Sequence, residues 1–238
     1  MSNYYELKSN TFSLELSSDF FHIESSEKLL ILSSAVLNGG FYKANHILNL
    51  RVPKGGGEAN SPQDALIDVC LSHGWGKYCV GMMTAASMKS MAIKEKVSEN
   101  TYIAICLTVG LSNTRTAGDK ADIQKLFSDD YHNGTINIAL ITDAELTLPA
   151  MTEALMIITE AKCEAMRRRG VKSPISNRVA TGTGTDSVVV AAAGKKGRIQ
   201  YAGKHTLFGQ IIANLVIEAL FDSMKWYQDR KEFSHIIK

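Results

Sequence analysis

The order of the predicted secondary-structure elements constrains the fold of this chain more than any other feature of its sequence. Alternating or continuous apolar runs predict strands at residues 11–16, 20–23, 28–37, 46–52, 78–83, 101–109, 135–142, 188–193 and 198–201. Helical periodicity predicts helices at residues 62–73, 148–169 and 206–228. Most strands precede the two long helices, which favours an α+β fold over a doubly wound parallel sheet. We therefore predict a single layered domain whose mixed β-sheet is packed by helices, and αββα layering is one arrangement that fits.

The chain length fits one domain that spans residues 1–238. Residues 1–27 are predicted to form N-terminal strands or an extension. The polar, acid-rich segment 114–133, with a helical turn near 121–127, is predicted to be a variable loop or lid. Strands 188–193 and 198–201 are expected to form a hairpin around the glycine-bounded turn 194–197.

Charge and hydropathy limit the partners and the location of the protein. The net charge is only +2, and the one basic block, RRR at 167–169, closes a predicted helix, where cations suit the C-terminal carbonyls. A nucleic-acid partner is therefore not expected. The N-terminal residues lack a charged-then-apolar signal pattern, and the most apolar stretch, 207–221, is interrupted by Gln210, Asn214 and Glu218. We expect a cytoplasmic protein that does not enter a membrane.

Metal and phosphate motifs are missing from the sequence. The four cysteines form no CxxC pair, and the six histidines are scattered without an HExxH motif, so no metal site is predicted. The cysteines are expected to be buried free thiols. The dipeptides Gly194-Lys195 and Gly203-Lys204 are not followed by Ser or Thr, which excludes a P-loop. The segment TGTGTDS at 181–187 does not match a dinucleotide fingerprint, because Ser187 stands where that motif has its third glycine.

The segment ATGTGTD at 180–186, directly before a predicted buried strand, is the most unusual stretch of the sequence. Glycine is costly in an ordered segment, so two of them indicate a sharp bend or a close approach. In an extended 181–186, the three threonines would face one way and the two glycines and Asp186 the other. The glycine face would then expose N–H groups to a ligand oxygen. A β-bulge or a tight strand entry is the structural alternative.

Neutral polar residues interrupt several apolar runs near strand ends. Each must find a partner or line a site, because an unpaired buried polar group is costly. Their concentration at strand ends predicts a pocket that binds an uncharged polar ligand through hydrogen bonds. The residues are Ser34, Asn38, Thr84, Asn113 and Asn137.

Eight short blocks occur in a fixed order along the chain. They are SAVLNGGF at 34–41, NLRVP at 49–53, MTAA at 83–86, GLSN at 110–113, GTIN at 134–137, TEAK at 159–162, ATGTGTD at 180–186 and YAGKHT at 201–206. In these blocks the chain resembles the adenosylcobinamide amidohydrolase family. The resemblance covers residues 28–221.

The resemblance implies hydrolysis of the amide that joins a propionyl side chain of the corrin ring to aminopropanol. The products would be adenosylcobyric acid and the amino alcohol, in the salvage of cobamides (vitamin B12). The ligand would be a corrinoid with many peripheral amides, and cobalt would enter only as part of this substrate, without a cofactor of the protein's own. The alternatives are a non-catalytic corrinoid-binding protein and an amidase acting on a smaller amide.

Amide hydrolysis requires a nucleophile, a proton donor for the leaving amine and a stabiliser for the oxyanion. We predict Thr183 or Thr185 as nucleophile or substrate anchor and Asp186 as base or orienter, or as the group that activates a water. The N–H groups of Gly182 and Gly184 would stabilise the oxyanion. His205 is the best acid or base elsewhere; a helix-entry residue bonded to backbone is the alternative.

The remaining candidates are predicted to bind the substrate. They are Ser34, Asn38, Asn49, Thr84, Asn113, Asn137, Glu160 and Thr181, together with Gly182 and Gly184. The sequence leaves a homo-oligomer open.

Overall fold

The computed structural model describes residues 3–52, 61–126 and 135–228. Its strands are β1 (Asn3–Tyr5), β2 (Phe12–Leu16), β3 (Phe20–Ser33), β4 (Gly40–Arg51), β5 (Cys79–Thr84), β6 (Ala92–Ser98), β7 (Thr101–Val109), β8 (Thr114–Arg115), β9 (Ile136–Thr142), β10 (Glu145–Leu146), β11 (Gly182–Thr183), β12 (Ser187–Ala192) and β13 (Arg198–Ile199). The helices within the described residues are α1 (Pro62–Ser72), α2 (Leu148–Arg168) and α3 (Leu207–Gln228), with a 3₁₀ turn at Met88–Ser90.

One mixed sheet organises the molecule, so the predicted α+β class is confirmed. Its main path runs β1-β2-β3-β12-β9-β7-β6, while β4 pairs with β3 and β5. The pairs β12/β9 and β4/β5 are parallel, and the other pairs in this sheet are antiparallel. Strand β12 is central, with Ser187 opposite Asn137 of β9 and Val189 opposite Ser33 of β3.

The sheet curls so that its two halves face each other. Alternate residues of β9 illustrate this: Ile138 and Leu140 pack with α2 and α3, whereas Ala139 and Ile141 pack with side chains of β3, β4 and β5. Helix α1 covers the outer face of β4 and β5 through Leu66. The layers therefore follow one another as helix, half-sheet, half-sheet and helix, which is the αββα arrangement that fitted the sequence.

Helix α2 lies where its capping residues predict. The Thr147 side chain accepts a hydrogen bond from the Ala150 N–H at 3.2 Å, and Pro149 occupies the first turn. The helix ends at Arg168, and Gly170 follows with a φ of +61°, which favours glycine. These boundaries place the C-terminal half of α2 beside the start of β12, where the Thr-Gly segment lies.

Several strand predictions differ from the structure. The strands predicted at 20–23 and 28–37 are one strand, β3, which ends at Ser33, and the strand predicted at 46–52 already begins at Gly40. The predicted hairpin between 188–193 and 198–201 is wrong, since β13 pairs with β10 in parallel. The cause is the turn at 194–196, whose N–H groups bond to the carbonyls of Ala144 and Asp143 and so direct the chain to β10. Strand β6 was not predicted.

The segment 114–133 was predicted to be a loop with a helical turn. Its first two residues form β8, and no helix is present at 121–126; residues 127–133 lie outside the described part. At the N-terminus, residues 3–27 form β1, β2 and the beginning of β3.

Helix α3 alone, among the described residues, is long and apolar enough to cross a membrane. More than half of that stretch is buried in the protein. Ile212, Val216 and Leu220 are fully buried in the core that α3 shares with α2 and the sheet. We therefore interpret α3 as a core helix, since such helices have the same composition.

Histidine and tryptophan rings stack on the outer face of β3 and β4. The His22 ring lies 3.7 Å from the Trp75 ring and 5.2 Å from the His46 ring, and His73 stacks on the other side of Trp75 at 4.6 Å. His22 is buried. Burial, with smaller contributions from His46 and His73, lowers the pKa of His22 from 6.5 to about 3.

The His22 pKa predicts a pH-dependent loss of stability. Between pH 6.5 and about 3 the unfolded chain binds a proton that folded His22 does not accept, so stability falls as the pH falls through this window. We expect the melting temperature of His22→Gln to decrease less than that of the wild type between about pH 7 and pH 4.5. His205→Gln, at an exposed histidine, is the control. Equal decreases in all three proteins would contradict the prediction.

Candidate active site

The Thr-Gly segment, 180–186, enters β12 through a sharp turn. Thr181 donates its N–H to the Arg115 carbonyl at 2.8 Å, and the short β11 pairs with β8. The chain then turns at residues 184–185. The chain is therefore extended only as far as Thr183, and the alternative of a tight strand entry describes the residues that follow. Because the chain turns, the side chains of Thr183 and Asp186 meet instead of facing opposite ways.

The carboxylate of Asp186 is the centre of the turn. It accepts hydrogen bonds from the Thr183 hydroxyl at 2.5 Å, from the Thr183 N–H at 3.1 Å and from the Ile136 N–H at 3.0 Å. It also forms an ion pair with Lys162 of α2. Four donor groups thus hold this carboxylate, which matches the acceptor capacity of an ionised aspartate.

Lys162 is the functional candidate that the sequence reasoning missed. Its side chain is 9% exposed and that of Asp186 is 11% exposed, so the ion pair is nearly buried. A signal was present in the sequence: Lys162 lies on the buried face of α2, four residues after Ile158 and three before Ala165. A lysine on an apolar helix face requires a partner.

The two glycines of the turn make room for neighbouring side chains. A Cβ on Gly182 would overlap the Asp186 carboxylate and lie 2.7 Å from Lys162 Nζ. A Cβ on Gly184 would lie 2.6 Å from Asn113 Nδ2. Neither glycine has a positive φ, so close approach is what requires them. The Gly184 N–H donates to the Asn113 carbonyl at 3.1 Å, so it does not serve as the predicted oxyanion donor in this arrangement.

Asn113 presents a polar group beside the turn. Its side chain is half-buried, and it makes no hydrogen bond with the residues that the structure describes. Its Nδ2 is the atom that faces Gly184. An amide N–H₂ in this position can donate to a substrate carbonyl or to an oxyanion.

A buried chain of hydrogen bonds connects the turn to the opposite half of the sheet. Asn49 Nδ2 donates to the Thr108 hydroxyl at 2.9 Å, and Asn137 Nδ2 donates to Asn49 Oδ1 at 2.6 Å. The Thr135 hydroxyl lies 3.0 Å from Asn137 Oδ1 and donates to the Thr185 carbonyl at 2.5 Å. Asn49 and Asn137, predicted as ligand contacts, are fully buried and bonded to protein groups, so here they position the turn.

Two further predicted binding residues lie against the turn or its flanks. The Ser34 hydroxyl accepts the Val188 N–H at 3.1 Å and lies 3.4 Å from that of Ser187. Thr181 Oγ1 accepts the Ala117 N–H at 2.9 Å. Thr84 is fully buried, and its hydroxyl caps the Ala86 N–H at 3.0 Å.

Like Thr84, three more predicted site residues make no described contact with the turn. Asn38 Nδ2 donates to the Cys79 carbonyl at 2.7 Å and so fixes its own turn. Glu160 is exposed on α2 and forms an ion pair with Lys204. His205 is exposed on the turn before α3, with its ring against Gly203.

The half-buried Cys163 lies next to the ion pair but is not a good nucleophile. Burial raises the pKa of its thiol, which is only partly offset by the charge of Lys162. Its Sγ donates to the Thr181 carbonyl at 3.2 Å. The thiol therefore stays protonated at neutral pH and supports the segment.

Three groups contact one another in sequence: the Thr183 hydroxyl donates to the Asp186 carboxylate, which in turn contacts the Lys162 ammonium. These are the positions of a nucleophile, a base and a group that orients the base. In the described part of the chain, no three His, Cys, Asp or Glu side chains are grouped to hold a metal ion. A hydroxyl that donates to a nearly buried carboxylate is an arrangement that supports attack on an acyl carbon.

Comparisons with known proteins give the family. Residues 5–232 match the adenosylcobinamide amidohydrolase family, and the chain belongs to it. Over 79% of this chain and 86% of the relative, it is 31% identical to the adenosylcobinamide amidohydrolase of Methanosarcina mazei. It is 32% identical to an uncharacterised protein of Methanocaldococcus jannaschii, over 60% of this chain and 61% of that protein's length.

A solved structure of a Pyrococcus horikoshii protein matches this chain over 94% of this chain and 83% of that protein. The sequence identity is 12% and the TM-score is 0.40.

Proposed function

We propose that this protein hydrolyses the aminopropanol amide of adenosylcobinamide to give adenosylcobyric acid in cobamide salvage. Family membership supports the substrate and the bond. The observation that carries the chemistry is the 2.5 Å hydrogen bond from the Thr183 hydroxyl to the Asp186 carboxylate, on a turn whose tip at Gly184 is exposed. A hydroxyl held on a carboxylate can lose its proton as it attacks a carbonyl.

The proposed reaction has two steps. In the first, Thr183 Oγ1 bonds to the amide carbon while its proton passes to Asp186; the C–N bond then breaks, and the amine leaves with that proton. The acyl group is now an ester of Thr183. In the second step, a water attacks the ester carbon and gives its proton to Asp186. The C–O bond to Thr183 breaks, the proton returns to Oγ1, and the carboxylic acid product leaves.

Direct attack by a water activated by Asp186 fits the geometry less well. The four donors already fill the acceptor positions of this carboxylate, so a water would have to displace one of them. The Thr183 hydroxyl, in contrast, is already in place. Asn113, beside Gly184, is the proposed donor to the substrate carbonyl or the oxyanion.

The other expectations about the protein remain part of this proposal. Cobalt enters as part of the corrinoid, the protein needs no cofactor of its own, and the reaction takes place in the cytoplasm without nucleic acid or membrane. A homo-oligomer is compatible with it.

Asp186→Asn tests the proposed function against a non-catalytic corrinoid-binding role. An amide cannot take the proton of Thr183, so we expect kcat on adenosylcobinamide to fall by at least about 100-fold. Corrinoid binding, measured by co-elution and by the absorption change of the ligand, should persist. Asp222→Asn, at an exposed aspartate 2.6 Å from Lys94, is the control and should keep full activity.

Wild-type turnover in Asp186→Asn would contradict the role of Asp186. Binding without turnover in the wild type would favour the corrinoid-binding alternative. Turnover of a smaller amide, without corrinoid binding, would favour an amidase of another substrate class.

A further inference from the structure

We infer that Lys162 is a positioning residue of the reaction, which acts through Asp186 by fixing the carboxylate that accepts the Thr183 proton. The inference rests on the proposed function and extends it to a residue on a different element, α2. It draws on the geometry of the ion pair, on its burial and on the glycine beside it.

Of the four donor groups around Asp186, the Thr183 hydroxyl and the Lys162 ammonium contact different oxygens. The Thr183 hydroxyl donates to Oδ1, whereas Lys162 Nζ contacts Oδ2. Since the carboxylate is planar, holding Oδ2 fixes the direction in which Oδ1 faces the hydroxyl. Lys162 makes no described hydrogen bond to Thr183, so its influence on the hydroxyl passes through the carboxylate.

Burial distinguishes this ion pair from an ordinary surface pair. Lys162 and Asp186 are 9% and 11% exposed, whereas Lys204 and Glu160, the partner of Lys204 on α2, are 72% and 50% exposed. Removing an ammonium from water is costly, and a buried ion pair is weak support for stability. An apolar side chain would suit this helix face better, and a role in the site accounts for a lysine at this buried position.

Gly182 shows that the backbone is adapted to the pair. A side chain at this position would overlap Asp186 Oδ2 and crowd Lys162 Nζ. The lack of a Cβ therefore leaves space for the ammonium and the carboxylate to meet over the backbone of β11.

Four variants and one control test this role: Lys162→Met, Lys162→Arg, Asp186→Asn, the double variant Lys162→Met/Asp186→Asn, and Lys204→Met. We expect Lys162→Met to lower kcat by about 100-fold while KM stays within about twofold, and Lys162→Arg to recover part of the loss. Lys204→Met should behave like the wild type. Because Lys162 acts through Asp186, the double variant should be no slower than Asp186→Asn alone.

The outcomes separate this inference from the proposed function. An inactive wild type would overturn both. An active wild type with undiminished kcat in Lys162→Met, or with losses that multiply in the double variant, would overturn only the role of Lys162. If Lys162→Met does not fold because it leaves Asp186 unpaired, the double variant removes both charges, and its kcat relative to Asp186→Asn decides the question.

Discussion

Thr183→Val should abolish nearly all turnover of adenosylcobinamide while the protein stays folded and binds the corrinoid. Valine has almost the shape of threonine but lacks the hydroxyl that donates to Asp186 at 2.5 Å. Loss of the attacking group of a nucleophile–base unit removes most of its catalysis, so we expect kcat to fall by at least about 1,000-fold with little change in KM. Steady-state kinetics with chromatographic separation of the corrinoids measures both constants.

Two threonine variants serve as controls for this result. Thr183→Ser keeps a hydroxyl and should retain measurable turnover. Thr181→Val removes a hydroxyl that accepts the Ala117 N–H and does not contact Asp186, so it should have a small effect. Turnover of Thr183→Val close to the wild-type value would show that another group attacks the amide, with Thr185 or a water as the candidates.

Gly182→Ala has the second-largest expected effect, because it adds one carbon at the most crowded point of the site. The new Cβ would overlap Asp186 Oδ2 and lie 2.7 Å from Lys162 Nζ, so one or both of these side chains must move. We expect kcat to fall by about 100-fold or more, because the carboxylate is displaced from the Thr183 hydroxyl, and the melting temperature to fall, because the buried ion pair is disturbed.

Gly197→Ala is the matched control. A Cβ at Gly197 would have no atom within 4 Å, and its φ is not positive, so the substitution should change neither activity nor stability appreciably. Full activity of Gly182→Ala would contradict the account, because it would mean that the contact between Lys162 and Asp186 is not needed.

The fold was predictable where burial determines the residue pattern. Strand β7 coincides with the predicted 101–109, and α2 was predicted to within one residue, because continuous apolar runs and helix caps record which faces are covered. Strand β6 escaped prediction because it is an edge strand: its central residues, Lys94, Glu95 and Lys96, are charged. The hairpin was predicted wrongly because the turn at 194–196 is held by hydrogen bonds to Asp143 and Ala144, which lie about 50 residues away in sequence.

The site was predictable only in its local part. Thr183 and Asp186 lie in one short segment, so the sequence pattern predicted both of them as site residues. Lys162 comes from a helix more than 20 residues earlier, and no local rule indicates that it meets Asp186. Conversely, Glu160 was predicted to contact the substrate because its helix, 148–169, could bring it to the site, but its helix face is exposed and it pairs with Lys204.

The neutral polar residues at strand ends illustrate the same limit. Their presence in apolar runs correctly indicated that each needs a partner. Whether the partner is a ligand or another part of the protein depends on how the sheet curls. Asn49 and Asn137 meet across the two halves of the sheet, which the pattern of either strand alone does not reveal.

The most direct measurement is the incubation of the purified wild-type protein with adenosylcobinamide, followed by mass-resolved chromatography of the corrinoid. The account predicts loss of aminopropanol and formation of adenosylcobyric acid, and a metal chelator should not prevent it. An unchanged corrinoid, whether it co-elutes with the protein or not, would contradict the proposal that this chain hydrolyses the amide.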